Sequence, residues 1–317
     1  MSHPHLKCVS RKFQTGNLVV LLMIGLTMAG SQTQSVPVAR AGSGPPWPAR
    51  FFSKLVKLYL HAAPIARGKW WLRRKAAPWL VARLDTGPWI RVSGVAEFEW
   101  EAFMGARAKE TQTSTLFRRL LRPGQVVVDV GANVGCYTLT AASHVGPSGR
   151  VIAFEPGPDA AARLQENANL NGFAQVVVVA SAVADRPGTV ALLVGDDSEG
   201  NSLFEVVPGA RCRPVEVPVT TLDDFVAAAR LPHVDVLKID AEGAEVKVLR
   251  GARRILTAPG VTVVLAEANP VTLRAAGESI DSLRAEFQSL GYETTVVESM
   301  EWMGVTVENW LATKLNH

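Results

Sequence analysis

The chain has 317 residues and is 48% hydrophobic, enough for one large globular domain or two small ones. Its net charge of +4 is unevenly spread, because residues 1–91 hold fourteen Lys or Arg and only one acid, whereas the remainder is acidic. The three scattered cysteines form no CxxC motif, which argues against a zinc knuckle or a disulfide framework and favours a reducing compartment. The acidic remainder shows no nucleic-acid-binding module, so we expect no nucleic-acid partner.

Residues 1–48 combine an uncharged apolar run, LVVLLMIGLTMA, with a stretch rich in Ser, Gly, Pro and Gln that is predicted to be a linker or disordered. The apolar run resembles a secretory signal, with an A-R-A sequence ending at Ala41 as its cleavage site. It is short for a membrane span, which needs about 20 residues. A translation start at Met23 or Met28 is the third interpretation.

Residues 49–94 form a basic, Trp-rich N-terminal extension, with basic residues interspersed among aromatic ones from Phe51 to Trp79. One interpretation is a helical segment that packs on the main domain. The other is a segment that makes peripheral contact with an anionic membrane surface, where basic residues beside Trp are favoured.

From residue 125 onward, short apolar runs alternate with helical patterns. QVVVDV (125–130), RVIAFE, QVVVVA, VDVLKID and VTVVLAE are predicted to be strands, with helices between them that include 158–171 and 242–256. Residues 189–219 alternate and carry turn residues, which predicts a hairpin-like insertion, and YETTVV and NWLAT are predicted to be the last two strands. Such runs are typical of an α/β fold whose mostly parallel sheet has helices on both faces.

The loop after the first of these strands indicates the ligand, because open α/β sheets bind ligands beyond the carboxyl ends of their strands. The sequence GANVG (131–135) is G-x-x-x-G, not the G-x-G-x-x-G of dinucleotide sites. Asp129 before it suits a ligand with a positive group, although it could instead cap the next helix. Glu155, after the second strand, can accept hydrogen bonds from two ribose hydroxyls. A cationic nucleoside without phosphate matches S-adenosylmethionine, with a nicotinamide-dependent Rossmann oxidoreductase as the alternative.

Several motifs in a fixed order resemble the FkbM-type methyltransferase family. They are VVVDVGANVGCYTLTAA, GRVIAFEPGP, NANLNG, VPVTTLDDF, VDVLKIDAEGAEVKVLRGA and VVLAEANP, and we assign residues 95–317 to this domain. The resemblance implies a class I methyltransferase, Rossmann-like fold with seven strands, the last of them antiparallel. It also implies S-adenosylmethionine as cofactor and an acceptor hydroxyl on a sugar or natural product. The sequence departs from the family where Ala268-Asn269-Pro270 follows Glu267, since the family often has His then Pro there.

The positions of the strand ends and the resemblance together predict the residues that contact the cofactor. Tyr137 packs either on the cofactor or in the core. The predicted cofactor-binding residues are Asp129, Gly131, Asn133, Gly135, Tyr137, Glu155, Pro156, Ala182 and Asp240.

Three carboxylates are the predicted catalytic residues, because a hydroxyl is a weak nucleophile near neutral pH and the six histidines are poorly placed to act as a base. We expect Asp240 to contact the methionine end of the cofactor or the acceptor, Glu242 to be the base, and Glu267 to line the acceptor side. No His or Cys accompanies them, so no metal site is expected.

Two charged neighbours of these carboxylates carry structural expectations. Glu242 and Glu245 are predicted to lie in the first turn of a helix, where acids are stabilised by the helix dipole, and Glu245 is expected to do little else. Lys238 is expected to point away from Asp240 and to have its partner elsewhere.

The sequence therefore predicts an S-adenosylmethionine-dependent methyltransferase that O-methylates a small-molecule or glycan acceptor. We expect it in the cytoplasm, where the cofactor is made, with membrane association through the N-terminal segments. A non-catalytic, membrane-tethered nucleoside-binding protein is the alternative from a different class.

Overall fold

The computed structural model describes residues 44–62, 76–93, 97–104, 111–195, 212–258, 261, 263–302 and 304–315. The predicted apolar run and most of the predicted linker lie outside these ranges, as do the Trp and Arg clusters between 63 and 75. No helix within the described ranges is long and apolar enough to cross a membrane.

The N-terminal extension is a helix followed by a small hairpin. A buried hydroxyl joins the two, since the backbone N–H of Val81 donates to Oγ of Ser53 at 3.0 Å. The interpretation of this extension as a helical segment was wrong for residues 77–91, which form a 3-10 turn and the hairpin instead. The elements before the main sheet are α1 (Trp47–Ala62), a 3-10 turn (Ala77–Trp79), β1 (Val81–Arg83), β2 (Trp89–Arg91), α2 (Glu97–Met104) and α3 (Gln112–Leu120).

The remaining elements alternate strand and helix as the apolar runs predicted. They begin with β3 (Val126–Val130), α4 (Cys136–Val145), β4 (Arg150–Phe154), α5 (Pro158–Asn171), β5 (Val176–Val179), β6 (Ala182–Val183), β7 (Gly188–Val194) and β8 (Arg213–Thr220). They continue with α6 (Leu222–Ala228), β9 (Val236–Ile239), α7 (Glu245–Arg250), α8 (Arg253–Thr257), β10 (Val263–Ala268), α9 (Pro270–Ala275), α10 (Ile280–Ser289), β11 (Tyr292–Trp302) and β12 (Val305–Lys314).

The central sheet has seven strands in the order β11-β12-β10-β9-β3-β4-β5. The strands β10, β9, β3, β4 and β5 pair in parallel, whereas β12 is antiparallel to both of its neighbours. This confirms the α/β class and the seven-stranded, mostly parallel sheet with the last strand antiparallel. The predicted hairpin-like insertion is also confirmed, because β7 and β8 pair antiparallel, and β6 adds a third strand beside β8.

Alternate side chains of the central strands enter two separate apolar clusters, one on each face of the sheet. Val128 of β3 and Leu237 of β9 belong to one cluster, whereas Val127 and Val236 belong to the other. Helices cover both clusters, which explains why the strands are continuous apolar runs. Because every second residue shares a face, Asp129 and Lys238 lie on the same side as Val127 and Val236.

The predicted helix 242–256 is instead two short helices, α7 and α8, preceded by a turn. Glu242 has a φ of +49° and Gly243 a φ of +102°, so neither residue is helical. Gly251, between the two helices, packs against the main chain, since a Cβ there would lie 2.0 Å from the carbonyl oxygen of Ala184. The periodicity of apolar residues does not predict such a close contact between two main-chain segments. The last two strands are likewise longer than predicted, because each is extended by pairing with the other.

Candidate active site

The order in which the chain adds parallel strands to the sheet reverses at β3. The strands β4 and β5 follow on one side of β3, and β9 and β10 follow on the other. Such a switch point opens a crevice beyond the carboxyl ends of β3 and β9. Gly131 follows β3 and Asp240 follows β9, and the two meet there: a Cβ on Gly131 would lie only 1.7 Å from the backbone oxygen of Asp240. The backbone of the glycine loop therefore forms one wall of the crevice.

The glycine loop is a tight turn that depends on left-handed backbone conformations. Gly131, Asn133 and Gly135 have φ values of +76°, +49° and +103°. A Cβ on Gly135 would lie 2.2 Å from a side-chain carbon of Leu164 on α5. Gly131 is therefore required by its contact with the end of β9, and Gly135 is required by the packing of α5.

Glu155, at the end of β4, holds this loop in place. Its two carboxylate oxygens accept hydrogen bonds from the backbone N–H groups of Asn133 and Gly157, each at 2.8 Å. Burial raises the pKa of Glu155 to about 7, although the two backbone hydrogen bonds lower it. A carboxylate can accept roughly four hydrogen bonds, so capacity for ribose hydroxyls is left after these two.

Asp129 and Lys238 form a buried pair across adjacent strands. They are register partners of β3 and β9, and Lys238 Nζ lies 3.8 Å from Oδ1 of Asp129 and 3.1 Å from Oδ2 of Asp240. The expectation that Lys238 points away from Asp240 was therefore wrong, because residues two apart on a strand share a face. Burial lowers the pKa of Lys238, but the two carboxylates together raise it above its usual value, so the ammonium stays charged.

Asp129 is completely buried, and its contacts are all within the protein. Oδ2 accepts a hydrogen bond from the hydroxyl of Thr138, in the first turn of α4, at 2.6 Å. This contact supports the alternative in which Asp129 steadies the next helix. Direct contact of Asp129 with a ligand stays a prediction.

Four carboxyl groups, those of Asp240, Glu242, Glu245 and Glu267, gather at the carboxyl ends of β9 and β10. Burial raises the pKa of Glu242, and the charges of Asp240 and Glu267 raise it further. The pKa of Glu267 is also raised, first by burial and then by Asp240 and Glu245, while Lys238 lowers it. Acids this close together repel one another when they are ionised, and the positive charge of a cationic ligand would reduce that repulsion.

Glu245 does more than the helix-dipole role expected of it. Its side chain is buried, and Oε1 accepts hydrogen bonds from the backbone N–H groups of Ala241 and Gly243 at 2.9 and 3.2 Å. Burial raises its pKa to about 7 despite these bonds. Glu245 therefore holds the turn that carries Glu242.

We expect the substitution Glu245→Ala to lower the free energy of unfolding by about 1–3 kcal/mol, because it leaves two buried donors without an acceptor. Urea denaturation followed by circular dichroism measures this. Asp159→Ala is the matched control, since Asp159 is an exposed acid in the first turn of α5. Equal free energies of unfolding for the two variants would show that Glu245 contributes only through its charge at the start of the helix.

A cavity at the ends of β9, β10 and β12 contains two of the predicted catalytic residues, Asp240 and Glu267, and also Tyr137. The ring of Tyr137 lies 4.6 Å from Lys238 Nζ and packs edge-to-face on Phe117. The described wall of the cavity does not include Glu242. Its lining is Thr111, Thr113, Tyr137, Lys238, Ile239, Asp240, Leu265, Ala266, Glu267, Glu298, Met300 and Asn309.

Sequence reasoning missed the part of this cavity that comes from distant segments. Thr113 of α3 donates to Oε2 of Glu298 through its hydroxyl at 2.8 Å and its backbone N–H at 3.2 Å. The register of β11 shifts between Val296 and Glu298, where an irregularity in the strand pairing interrupts the ladder. Asn309 of β12 is the register partner of Glu267. No local motif marks these residues, because only the pairing of β11, β12 and β10 brings them together.

The other predicted cofactor residues lie at the same edge with different exposures. Pro156 is half-buried between Glu155 and Gly157. The side chain of Ala182 is buried in the apolar cluster of the three-stranded sheet, so only its backbone can reach a ligand. Within the described ranges, no group of three or more His, Cys, Asp or Glu is arranged to hold a metal ion.

The residues at the crevice match the chemistry of S-adenosylmethionine. Glu155 has hydrogen-bonding capacity left beside the glycine loop, which would suit ribose hydroxyls. The acids Asp240, Glu242 and Glu267 suit a sulfonium and an ammonium group, which a nicotinamide dinucleotide lacks. When bound, this cofactor supplies an electrophilic methyl group on sulfur.

Comparison with known proteins identifies the same class of protein, the methyltransferases. The family model of the methyltransferase FkbM domain matches residues 129–294. The 31-O-demethyl-FK506 methyltransferase FkbM of Streptomyces tacrolimicus is 31% identical over 210 residues, which are 57% of this chain and 76% of that protein. The 2-O-methyltransferase NoeI of Sinorhizobium fredii is 28% identical over 167 residues, 47% of this chain and 68% of that protein. Methyltransferase 1 of Beauveria bassiana is 30% identical over 143 residues, 39% of this chain and 57% of that protein.

The fold and the site together define a class I methyltransferase that uses S-adenosylmethionine. The chain belongs to the FkbM methyltransferase family. The oxidoreductase and the non-catalytic binding protein, which the sequence left open, are thereby set aside.

Proposed function

We propose that this protein is an O-methyltransferase that acts on a hydroxyl of a sugar, a glycolipid or another natural product. The observation that carries the proposal is the cavity at Tyr137, Asp240 and Glu267, where eight of the twelve lining residues have side chains that accept or donate hydrogen bonds. Its one described cation, Lys238, already faces two carboxylates. Such a lining favours a neutral polyhydroxyl acceptor over an acidic one.

The printed names of relatives support this acceptor class. They include a 2-O-methyltransferase, an O-demethyl-FK506 methyltransferase and a hexuronic acid methyltransferase from Haloferax volcanii. Two of these names specify transfer to oxygen, whereas the third names an acidic sugar, which the lining of the cavity favours less. From these names we carry over only methyl transfer to oxygen, and the hydrogen-bonding side chains of the cavity support a polyhydroxyl acceptor.

Within the proposal, Glu267 takes the proton of the acceptor hydroxyl. Glu267 lines the cavity and Glu242 does not, which favours Glu267 over the base predicted from the sequence. With a cationic ligand bound nearby, the raised pKa of Glu267 falls, so that its carboxylate is ionised when the acceptor arrives. Asp240, held by Lys238, orients the methionine end of the cofactor, and Glu242 adds negative charge beside it.

The proposed place of action is the cytoplasm, where the cofactor is made. Fractionation of cells that produce the full chain and a chain starting at Met28 tests this proposal. Mature protein cleaved after Ala41 and found outside the membrane would contradict it.

The direct test is a transfer assay with S-adenosylmethionine that carries a labelled methyl group. The acceptors are extracts of the source cell, divided into sugar, lipid and small-molecule fractions, and the labelled product is then identified. A methyl ether in the product supports the proposal. A methylated nitrogen, sulfur or carboxylate would overturn the O-methyl assignment while leaving the methyltransferase class intact.

We expect the affinity for S-adenosylmethionine to fall as the pH drops below about 7, because Glu155 must be ionised to accept hydroxyl hydrogen bonds and its pKa is raised to about 7. Above that pH the carboxylate is ionised and the affinity reaches a plateau. Glu155→Gln should weaken binding by about 1.5–3 kcal/mol and flatten this pH dependence. Calorimetric titrations at both ends of the range measure these effects.

The control for this prediction is Glu216→Gln, which neutralises an exposed acid on β8. It should bind as the unaltered protein does. If Glu155→Gln also binds with unchanged affinity at high pH, Glu155 only supports the loop and the ribose assignment is wrong.

A further inference from the structure

The N-terminal helix α1 presents a row of large apolar side chains to solvent. Trp47, Phe51 and Leu58 are 71%, 48% and 68% exposed. Spacings of four and seven residues place them on one side of a helix, and the rings of Trp47 and Phe51 stack with centroids 5.3 Å apart. Exposed apolar groups that lie together in this way mark an interaction surface.

The fold does not need this row, because the opposite side of α1 makes the contacts with the domain. Ser53, Val56 and Leu60 are buried on that side, and Oγ of Ser53 accepts the backbone N–H of Val81 in β1. The helix is thus docked by one face, which fixes the other face outward.

Basic side chains border the exposed row, and the helix sequence WPARFFSKLVKLYLHA contains no acid. Arg50 and Lys54 are exposed and Lys57 is half-buried, and the three lie along one border of the apolar row, with Lys54 nearest to it. The guanidinium of Arg50 lies 5.9 Å from the centre of the Trp89 ring on β2, so it packs against the domain at the border of the row. The surface of α1 is therefore apolar along its centre and cationic along its border.

We propose that α1 is an interfacial helix that lies on an anionic lipid surface. The apolar row enters the boundary between headgroups and acyl chains, and Lys54 and Lys57, along its border, face the lipid phosphates. The charge pattern favours lipid over a protein partner, because lysine is depleted in protein interfaces, whereas Trp beside Lys and Arg is favoured at membrane surfaces. The proposal concerns where the enzyme is held and is independent of which acceptor it methylates.

The test is co-sedimentation of the full chain with vesicles of phosphatidylcholine that contain phosphatidylglycerol, compared with vesicles of phosphatidylcholine alone. The variant Trp47→Ser/Phe51→Ser/Leu58→Ser should bind the anionic vesicles at least about tenfold more weakly. Its control is Val177→Ser/Val296→Ser, which changes two valines that are 45% exposed elsewhere, and which should bind as the unaltered protein does.

A second pair of variants tests the charges. Lys54→Glu/Lys57→Glu should lose the preference for anionic vesicles, a drop of about tenfold or more, whereas Arg119→Glu/Arg274→Glu, on exposed sites of other helices, should keep it. Unchanged affinity for S-adenosylmethionine shows that each variant is folded. A direct readout on the unaltered chain, amide hydrogen exchange of residues 47–62, should slow when the anionic vesicles are added.

Three results would overturn the proposal. One is vesicle binding that none of the α1 variants alters, which would place any membrane contact elsewhere in the chain. Another is unchanged hydrogen exchange in 47–62 with vesicles present. The third is a lipid-free dimer that the triple serine variant dissociates, which would make the row a contact between two copies of this chain.

Discussion

Glu267→Gln is expected to lower the turnover of methyl transfer by roughly 10²–10⁴, with a much smaller loss of affinity for S-adenosylmethionine that reflects the missing negative charge beside a cationic ligand. Glutamine keeps the size of the side chain and one acceptor oxygen, but it cannot take up the proton of the acceptor. The rate of the unaltered enzyme should rise with pH through the pKa that Glu267 has once the cofactor is bound, and the variant should lose this dependence. Single-turnover kinetics across the pH range measure both effects.

Two further variants are measured for comparison with Glu267→Gln. Glu242→Gln removes charge from the same group of carboxylates without touching the described cavity wall, and Glu293→Gln removes charge from an exposed site on β11. If Glu242→Gln is the more damaging change, the base is Glu242, as the sequence predicted. If all three variants turn over normally, neither Glu267 nor Glu242 is the base. The carboxyl groups interact, so the pH profile reports the group as a whole.

Gly131→Ala is expected to abolish measurable cofactor binding and to lower the free energy of unfolding by several kcal/mol. A Cβ at this position would lie 1.7 Å from the backbone oxygen of Asp240, so β3 and β9 cannot keep their spacing. The positive φ of Gly131 adds a strain of about 1–3 kcal/mol for any other residue. Thermal unfolding with and without S-adenosylmethionine measures both consequences.

Gly277→Ala separates the two causes. Gly277 has a φ of +79°, close to that of Gly131, but a Cβ there meets nothing within 4 Å. This control should lose only the strain energy and should bind the cofactor normally. Equal losses in the two variants would show that the crevice does not depend on the contact between Gly131 and Asp240.

The pattern of apolar residues was sufficient to predict most of the fold. Each central strand is buried on both faces, so its sequence is a continuous apolar run that stands out from the helices around it. Helix α5 was predicted at its observed bounds, because Pro158 and Gly172 mark its two ends in the sequence. The predicted helix 242–256 failed at Glu242 and Gly251, where backbone conformation and a close main-chain contact override periodicity.

The same division holds for the candidate site. The sequence by itself determined which acids lie at the strand ends and which loop contains the glycines, because local apolar runs and turn residues predict where each strand ends. Only the tertiary structure decided what those acids face. It buries Asp129 against Thr138 and Lys238, gives Glu245 two backbone donors, and brings Glu298 and Asn309 to the cavity wall. Contacts of this kind join residues far apart in the chain, and strand register and strand pairing set them, which no local pattern encodes.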